Sequence, residues 1–447
     1  MQVLTGWGNT APSNALVVAP AFGHEADRAF DDVADRGVIA RGLGRSYGDP
    51  AQNAGGRVIL TTGMGRVELD PSTGVVTADA GTSLDDLLRL LVPRGWFVPV
   101  TPGTRFVTLG GMLAADVHGK NHHRSGSFSH HVDMLTLQTP DASERPVSPD
   151  DDPEAFWATV GGMGLTGLIR SITFRAKPIE SSRVLVDTDR ARDLDDAMAR
   201  MAEADHHYDY SVAWIDLMAT GASMGRSVLT SGRFARVEEL PTALVDHPLD
   251  YRAGVIVSAP PLVPSGLLNR LSIRAFNELW FRKAPRHRRD QLQTIPSFFH
   301  PLDMIGSWNR IYGSVGFLQW QCLVPFGEES TLHTIVERLS AGGWGSFLAV
   351  LKRFGGQGDG MLSFPAPGWT LTLDLAAADP ALGTLLDELD RMVVEVGGRI
   401  YLAKDSRMDA ALLPTMYPRL DEFRAVQARL DPRGLLRSDL ARRLSIL

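Results

Sequence analysis

Three glycine-rich loops, each beside a β-like run in the first 180 residues, constrain this chain more than any other feature. They are Ala40-Arg-Gly-Leu-Gly-Arg-Ser-Tyr-Gly-Asp49, Pro102-Gly-Thr-Arg-Phe-Val-Thr-Leu-Gly-Gly-Met112 and Gly161-Gly-Met-Gly-Leu-Thr-Gly167. Glycine permits positive φ and lets backbone approach a ligand closely. Successive N–H groups turned inward then form a nest for an anion. Gly42, Gly44 and Gly48 miss the G-x-G-x-x-G spacing of a Rossmann turn by one residue, and Asp49-Pro50 does not open a helix. Gly44-Arg-Ser46-Tyr-Gly48 matches the G-x-S-x-G nucleophile elbow, which needs a helix directly after the serine and a late triad histidine. Pro50 with Gly55-Gly56 opposes that helix, and the last histidine is His333. Three separated loops suit instead a long, folded anionic ligand gripped by backbone amides, with Ser46, Thr104 and Thr108 as hydroxyl donors. A dinucleotide has that shape.

The loops lie in an α+β context. Val38-Ile-Ala, Val58-Ile-Leu, Val75-Val-Thr-Ala, Met134-Leu-Thr-Leu and Leu168-Ile-Arg-Ser-Ile-Thr-Phe read as strands. Ser83-Leu-Asp-Asp-Leu-Leu-Arg-Leu-Leu reads as a helix with Ser83 as N-cap and Asp85 and Asp86 at the positive end of the dipole. From about 183 to 398, helical stretches such as 194–204 and 382–396 alternate with strands. The run Gly316-Phe-Leu-Gln-Trp-Gln-Cys-Leu-Val puts Phe317, Gln319 and Gln321 on one face and Leu318, Trp320 and Cys322 on the other. Two glutamines on one face fit a polar cavity wall or a solvent-facing strand equally. Residues 399–447 close the chain, with strand then turn at Arg399-Ile-Tyr-Leu-Ala-Lys-Asp-Ser-Arg and a helix at 422–430 stopped by Pro432.

At 447 residues two domains are the natural expectation. A net charge of -7 argues against general nucleic-acid binding. A single cysteine, Cys322, excludes an internal disulfide and any Cys-built metal site. The N-terminus lacks the basic and apolar regions of a signal peptide, and no apolar run approaches the roughly 20 residues of a membrane span. Two segments stand out. Gly254-Val-Ile-Val-Ser-Ala-Pro-Pro-Leu-Val-Pro is apolar but broken by three prolines, and Arg282-Lys-Ala-Pro-Arg-His-Arg-Arg is basic. Each reads as an ordinary loop or, taken together, as an apolar 259–264 lid beside the Arg286 to Arg289 patch, suited to a lipid phosphate at a membrane.

The order of Arg41-Gly-Leu-Gly-Arg-Ser-Tyr-Gly-Asp, Pro102-Gly-Thr, Val107-Thr-Leu-Gly-Gly, Asp116-Val-His-Gly-Lys-Asn-His-His and Val160-Gly-Gly-Met-Gly-Leu-Thr-Gly resembles the FAD domain of the vanillyl-alcohol-oxidase superfamily. His118-Gly-Lys-Asn-His-His with Gly126-Ser-Phe, His300-Pro-Leu-Asp-Met, Trp308-Asn-Arg-Ile-Tyr-Gly, Gly316-Phe-Leu-Gln-Trp-Gln and Ala403-Lys-Asp-Ser-Arg are similar to the decaprenylphosphoryl-ribose oxidases within it. The resemblance implies a two-domain α+β fold of PCMH type. An FAD domain would comprise 1–182 and 399–447, and an antiparallel-sheet-plus-helices substrate domain 183–398. It places FAD against Arg41, Gly42, Leu43, Gly44, Arg45, Ser46, Tyr47, Gly48 and Asn53 in the first loop. Pro102, Gly103, Thr104, Thr108, Gly110, Gly111 and Ala115 follow in the second, then His118, Gly119 and Asn121. Gly162, Gly164, Gly167, Leu168 and Tyr401 complete the set. Some relatives attach FAD through a histidine of the first loop; here Arg45 stands there and offers no nucleophilic nitrogen, so FAD is expected to be non-covalent.

The resemblance further implies oxidation of the 2′-hydroxyl of polyprenyl-phospho-β-D-ribose to a 2-keto sugar, the first half of an epimerisation towards the arabinose donor of cell-wall arabinan. A short-chain reductase would complete the epimerisation, a quinone would reoxidise the flavin, and the enzyme would be peripheral at the plasma membrane. Lys404 would face the substrate and stabilise its oxygen as the proton leaves. His118 would lie beside the flavin ring, and Gln319 and Gln321 would bond the sugar or the flavin edge. Tyr47 and Trp214 would line the pocket, and Arg310 and Lys352 would neutralise a phosphate. No metal is expected, since Gly119 disfavours the helix that would align His118, His122 and His123 and no Cys or Glu joins them. Mycobacterial members carry Asn and Cys where Thr370 and Thr372 stand, and Tyr at Phe299. An alditol or aldonolactone oxidase on the same fold, or a flavin-binding partner without turnover, are the alternatives.

Overall fold

The computed structural model describes residues 1–20, 23–26, 28–141, 143–260 and 269–447. Residues 261–264 of the expected apolar lid lie outside them. Two sheets are built from the first 175 residues. One has the order Gln2–Leu4, Ser13–Val18, Arg57–Leu60, Val38–Arg41, and its last three strands run parallel. The other is antiparallel, with the order Val67–Leu69, Val75–Asp79, Leu168–Arg175, Val132–Gln138, Glu144–Val147. The first and third glycine loops leave or enter these sheets directly, at the end of Val38–Arg41 and the start of Leu168–Arg175. Ser83 caps the helix Leu84–Leu91 as expected, accepting from Asp86 N–H while four leucines turn to the core.

The third sheet is antiparallel and eight-stranded. Its order is His287–Thr294, Arg183–Ala191, Ser227–Phe234, Tyr210–Ile215, Ala349–Phe354, Gly368–Ala376, Phe317–Pro325, Arg399–Ile400. The pairing of Arg399–Ile400 with Cys322 and Leu323 carries the closing segment into this sheet before the chain returns to the glycine loops. The pleat sends alternate residues to opposite faces. On one face Ala213, Leu229, Trp320, Cys322, Leu351 and Leu371 are buried, beneath the helices Leu194–Ala204, Glu329–Gly342 and Ala381–Glu395. On the other, Trp214, Thr230, Gln319, Gln321, Val350, Lys352 and Thr372 face an internal cavity. The strands of this sheet are therefore hydrophobic on the helix side and mixed on the ligand side.

The two parts of the fold are clasped by polar contacts around the second glycine loop. His300 bonds Thr101 at 2.8 Å, and Asp303 accepts from Thr104 Oγ1 and Arg105 N, both at 2.7 Å. Phe97 packs on Phe299 at 5.2 Å and on Phe234 at 5.0 Å, extending the same core across the junction. The basic run, read as an ordinary loop or as a basic patch beside an apolar lid, comprises the end of the helix Arg270–Lys283, a short turn and the start of the strand His287–Thr294. Strand pairing with Arg183–Ala191 fixes its second half.

Candidate functional site

All three glycine loops meet at one cavity of about 670 Å³, within the range of cofactor sites. Leu43, Gly44 and Arg45 donate their amides to no backbone carbonyl among the described residues. Gly44 has φ +64°, and a Cβ on Gly42 would sit 2.1 Å from Thr108 Oγ1, so the loop takes a path that side chains would block. Arg41 braces it from behind, donating to Thr5 O at 2.6 Å and Ala51 O at 3.0 Å. Arg45 lays its guanidinium over Trp7 at 3.9 Å, with its buried Nε unpartnered. Gly103, Thr104, Thr108, Gly110, Gly111, Gly164 and Gly167 continue the wall, with Pro102, Ala115, Gly119 and Leu168.

Charge is concentrated in the same cavity. Lys120, Lys352 and Lys404 line the cavity, and none has a carboxylate within ion-pair distance among the described residues. Burial lowers the ammonium of Lys120 to about 7 and that of Lys352 to about 8, with Lys352 adding repulsion on Lys120. Burial likewise lowers Lys404, against the pull of Asp374, while the same desolvation raises the Asp374 carboxyl. Lys404 Nζ stands 4.1 Å over the Tyr47 ring. Gln319 donates to Asp374. Lys120 donates to Phe298 O and lies 4.3 Å from that ring.

His118, on the same cavity wall, is packed among Phe354, Phe364 and Tyr401, at 4.7, 5.7 and 5.3 Å. Desolvation holds it well below its usual pKa, so it is neutral. Gln321 Nε2 approaches His118 Nε2 at 3.0 Å and Thr370 Oγ1 at 3.0 Å. A neutral imidazole accepting at Nε2 carries its proton on Nδ1, and that buried Nδ1 has no partner. Thr372 Oγ1 is buried and unpartnered as well. Buried polar atoms without partners are rare. With the free amides of the first loop, they fit a polar ligand lying along this wall, as FAD would.

Most of the expected residues meet here, including Tyr401, whose hydroxyl donates to Ala115 O at 2.7 Å, and Trp214, whose indole donates to Phe347 O at 3.0 Å. Six of the expected residues are not on the wall of this cavity. Thr370 stands behind Gln321 and orients it. Arg310 is exposed on the 3-10 turn Trp308–Tyr312. Gly48 and Gly162 are needed for chain packing, since a Cβ would lie 2.0 Å from Asp405 O and 2.2 Å from Ala158 O. Asn53 bonds Arg36 O at 3.1 Å and Arg442 at 2.7 Å. Asn121 bonds Pro99 O at 2.9 Å. His122 and His123 also have structural partners, Gly355 N and Tyr208 O. Sequence reasoning does not single out Lys120, Asp374, Trp7 or Asp303. Lys120 sits inside the quoted histidine run, and Asp374 lies two residues beyond Thr372, on the same strand face; both signals were present.

A family described as FAD binding domain matches residues 15–146, and one described as D-arabinono-1,4-lactone oxidase matches 376–444. The chain is 43% identical over 452 residues to decaprenylphosphoryl-beta-D-ribose oxidase of Mycolicibacterium smegmatis, covering 99% of this chain and 97% of that protein. It is 41% identical over 373 residues to an uncharacterized protein of Streptomyces coelicolor, covering 81% of this chain and all of the relative. A putative D-arabinono-1,4-lactone oxidase of Neurospora crassa is 27% identical over 145 residues, 32% of this chain and 26% of that protein.

Proposed function

Because the chain belongs to the family of decaprenylphosphoryl-β-D-ribose oxidase, FAD-binding oxidoreductases of α+β fold, we propose that it oxidises the 2′-hydroxyl of a polyprenyl-phospho-β-D-ribose to the 2-keto sugar. The observation that carries this reading is a single cavity joining the glycine loops to a chamber with three lysines. The glycine loops would hold the dinucleotide, with His118 and Tyr401 lining the pocket for its ring and Arg45 offering no nucleophilic nitrogen for a covalent bond. When bound, FAD supplies the hydride acceptor. Lys404 donates to the reacting hydroxyl and stabilises charge on its oxygen, in a site where few waters compete. Gln319, fixed by Asp374, and Gln321, fixed by Thr370, orient the sugar. Lys120 and Lys352 neutralise the phosphate, the role expected of Arg310, which is exposed and does not line the cavity. Thr372 and Phe299 present a hydroxyl and a bare ring to the sugar, while Thr370 acts only through Gln321, so substrate contacts differ there from those of mycobacterial members.

The enzyme acts at the membrane that holds its lipid-linked substrate; a quinone reoxidises it and a short-chain reductase consumes the keto product. The test is a purified yellow protein whose flavin is released by denaturation and bleached by polyprenyl-phospho-ribose. Lys404→Ala keeps its FAD and loses flavin reduction. The match of residues 376–444 to the lactone oxidase family favours one alternative, an aldonolactone oxidase. Oxygen consumption with free aldonolactones and no bleaching by the phospho-sugar would establish that activity instead.

A further inference from the structure

The helix Arg270–Lys283 is built inside out. Its inward residues are Ile273 and the polar Asn277, whose amide donates to Asp216 Oδ1 at 2.8 Å and Ser346 O at 3.2 Å. Glu278 is held beside them by Arg226 at 2.5 Å. These polar bonds fix the helix to the body together with Ile273, Phe276 against Phe347 and Phe281 beneath Arg190 and Arg226. Its outward face is apolar: Leu271 is 79% exposed and Leu279 67%, and with Ala275 between them they form one stripe at i, i+4 and i+8. Phe276 and Trp280, stacked at 6.0 Å, flank that stripe and stay partly exposed. Exposed Ile256, Val257 and Ile305 add a second apolar spot on the two-stranded ribbon Val257–Ser258 with Ile305–Gly306.

Charge says what covers this face. The chain as a whole carries -7, yet from Arg270 to Arg289 there are seven cationic side chains and one carboxylate, Glu278. Arg282 and Arg289 are engaged, by Glu278 and by Asp187 with Asp189. Arg270, Arg274, Lys283, Arg286 and Arg288 have no ion pair among the described residues. An apolar stripe rimmed by cations, with a tryptophan at its edge, is the pattern of a helix lying in a lipid headgroup layer. No described helix is long and apolar enough to cross a membrane. Trp280 also lines the cavity, so the face adjoins the site.

We propose that the outward face of the helix Arg270–Lys283 seats the enzyme on an anionic bilayer. The inference deepens the lipid-phosphate reading and rests on it only for its purpose. A polyprenyl tail costs about 0.8 kcal/mol per CH₂ to withdraw from the bilayer, and a cavity of about 670 Å³ that also takes a dinucleotide has no room for one. The protein must therefore come to the lipid. The experiment floats the FAD-loaded protein on vesicles of phosphatidylcholine with and without phosphatidylglycerol. The parent should rise with the anionic vesicles. Leu271→Glu with Leu279→Glu should lower the bound fraction at least about tenfold, at unchanged FAD content and thermal midpoint. Arg274→Glu with Lys283→Glu should reduce binding to the level on neutral vesicles. A parent that stays at the bottom, or leucine variants that float equally well, overturn the proposal. So does a parent that dimerises through this face, made monomeric by Leu279→Glu, without binding vesicles. Bleaching by a water-soluble short-chain prenyl-phospho-ribose is read separately. Failure there with flotation intact removes the substrate reading and leaves the docking face standing.

Discussion

Replacing Lys120 by methionine should stabilise the protein, and the gain should shrink as pH rises. Lys120 has an ammonium pKa of about 7 in the folded protein against 10.5 as the ordinary value, and burial is the main cause. The folded value is the lower one, so the unfolded chain binds more protons between about pH 7 and 10.5, and the parent gains stability across that window. The penalty is fully present below pH 7 and gone above about pH 10.5. At about 1.4 kcal/mol per unit it approaches 5 kcal/mol at pH 6 and about 2 at pH 9. Methionine removes it, but also leaves Phe298 O without its donor, a cost of about 1–3 kcal/mol that does not depend on pH. The absolute change therefore mixes several effects, while the difference between pH 6 and pH 9 isolates the ammonium. Water in the cavity screens part of it, so that difference should be about 2–3 kcal/mol. Denaturant unfolding at saturating FAD, at both pH values and for both proteins, measures it, since the FAD contribution is common and cancels. A stability change equal at the two pH values, or larger at pH 9, would refute the desolvated lysine.

Gly42→Ala should weaken FAD binding at least about tenfold, because its Cβ would meet Thr108 Oγ1 at 2.1 Å; equilibrium dialysis with FAD checks this, and an unchanged affinity would mean the first loop does not grip the cofactor. Gln321→Leu should keep FAD and slow its reduction by about 10- to 100-fold, since it leaves His118 and Thr370 without the amide that joins them; rapid-mixing kinetics reads the rate. Binding of the phospho-sugar should take up protons at pH 8, because an anion raises the lowered pKa values of Lys120 and Lys352, about 7 and 8. Affinity should then fall as pH rises from 7 to 9, and calorimetry in two buffers of different ionisation enthalpy counts the protons.

The features that sequence made legible are those with a local cause. The N-cap at Ser83, the helix Leu194–Ala204 and the alternation through Gln319 and Gln321 follow from propensity and period. The glycine loops were visible because positions such as Gly42 and Gly44 take paths that a Cβ would block or strain. Long-range closure was less legible. Nothing in the local pattern of Arg399-Ile-Tyr says that it pairs with Cys322 and Leu323. Arg310 and Lys352 look alike as isolated cations in sequence. Their difference is made by strand register, which sets Lys352 opposite Thr370 on the cavity side and leaves Arg310 on an outer turn. Asn53 and Asn121 belong to motifs that bind, yet their amides hold loop carbonyls in place.

The charge of the chamber explains why its lysines are worth keeping. Three ammonium groups around one cavity, with Asp374 as a nearby counter-charge and no ion pair among the described residues, destabilise the free protein. Asp374 offsets only part of the cost at Lys404 and none at Lys120 or Lys352, because burial raises its own carboxyl and Gln319 occupies one of its oxygens. A fold that needed only stability would place apolar side chains there. The strain is removed when an anion enters, so the free energy lost in the empty state returns as affinity and as selection for a charged substrate. A neutral sugar alcohol would leave Lys120 and Lys352 as costly as before. On the proposed reading, the arrangement discriminates between a phosphorylated sugar and a free lactone before any contact with the reacting hydroxyl is made.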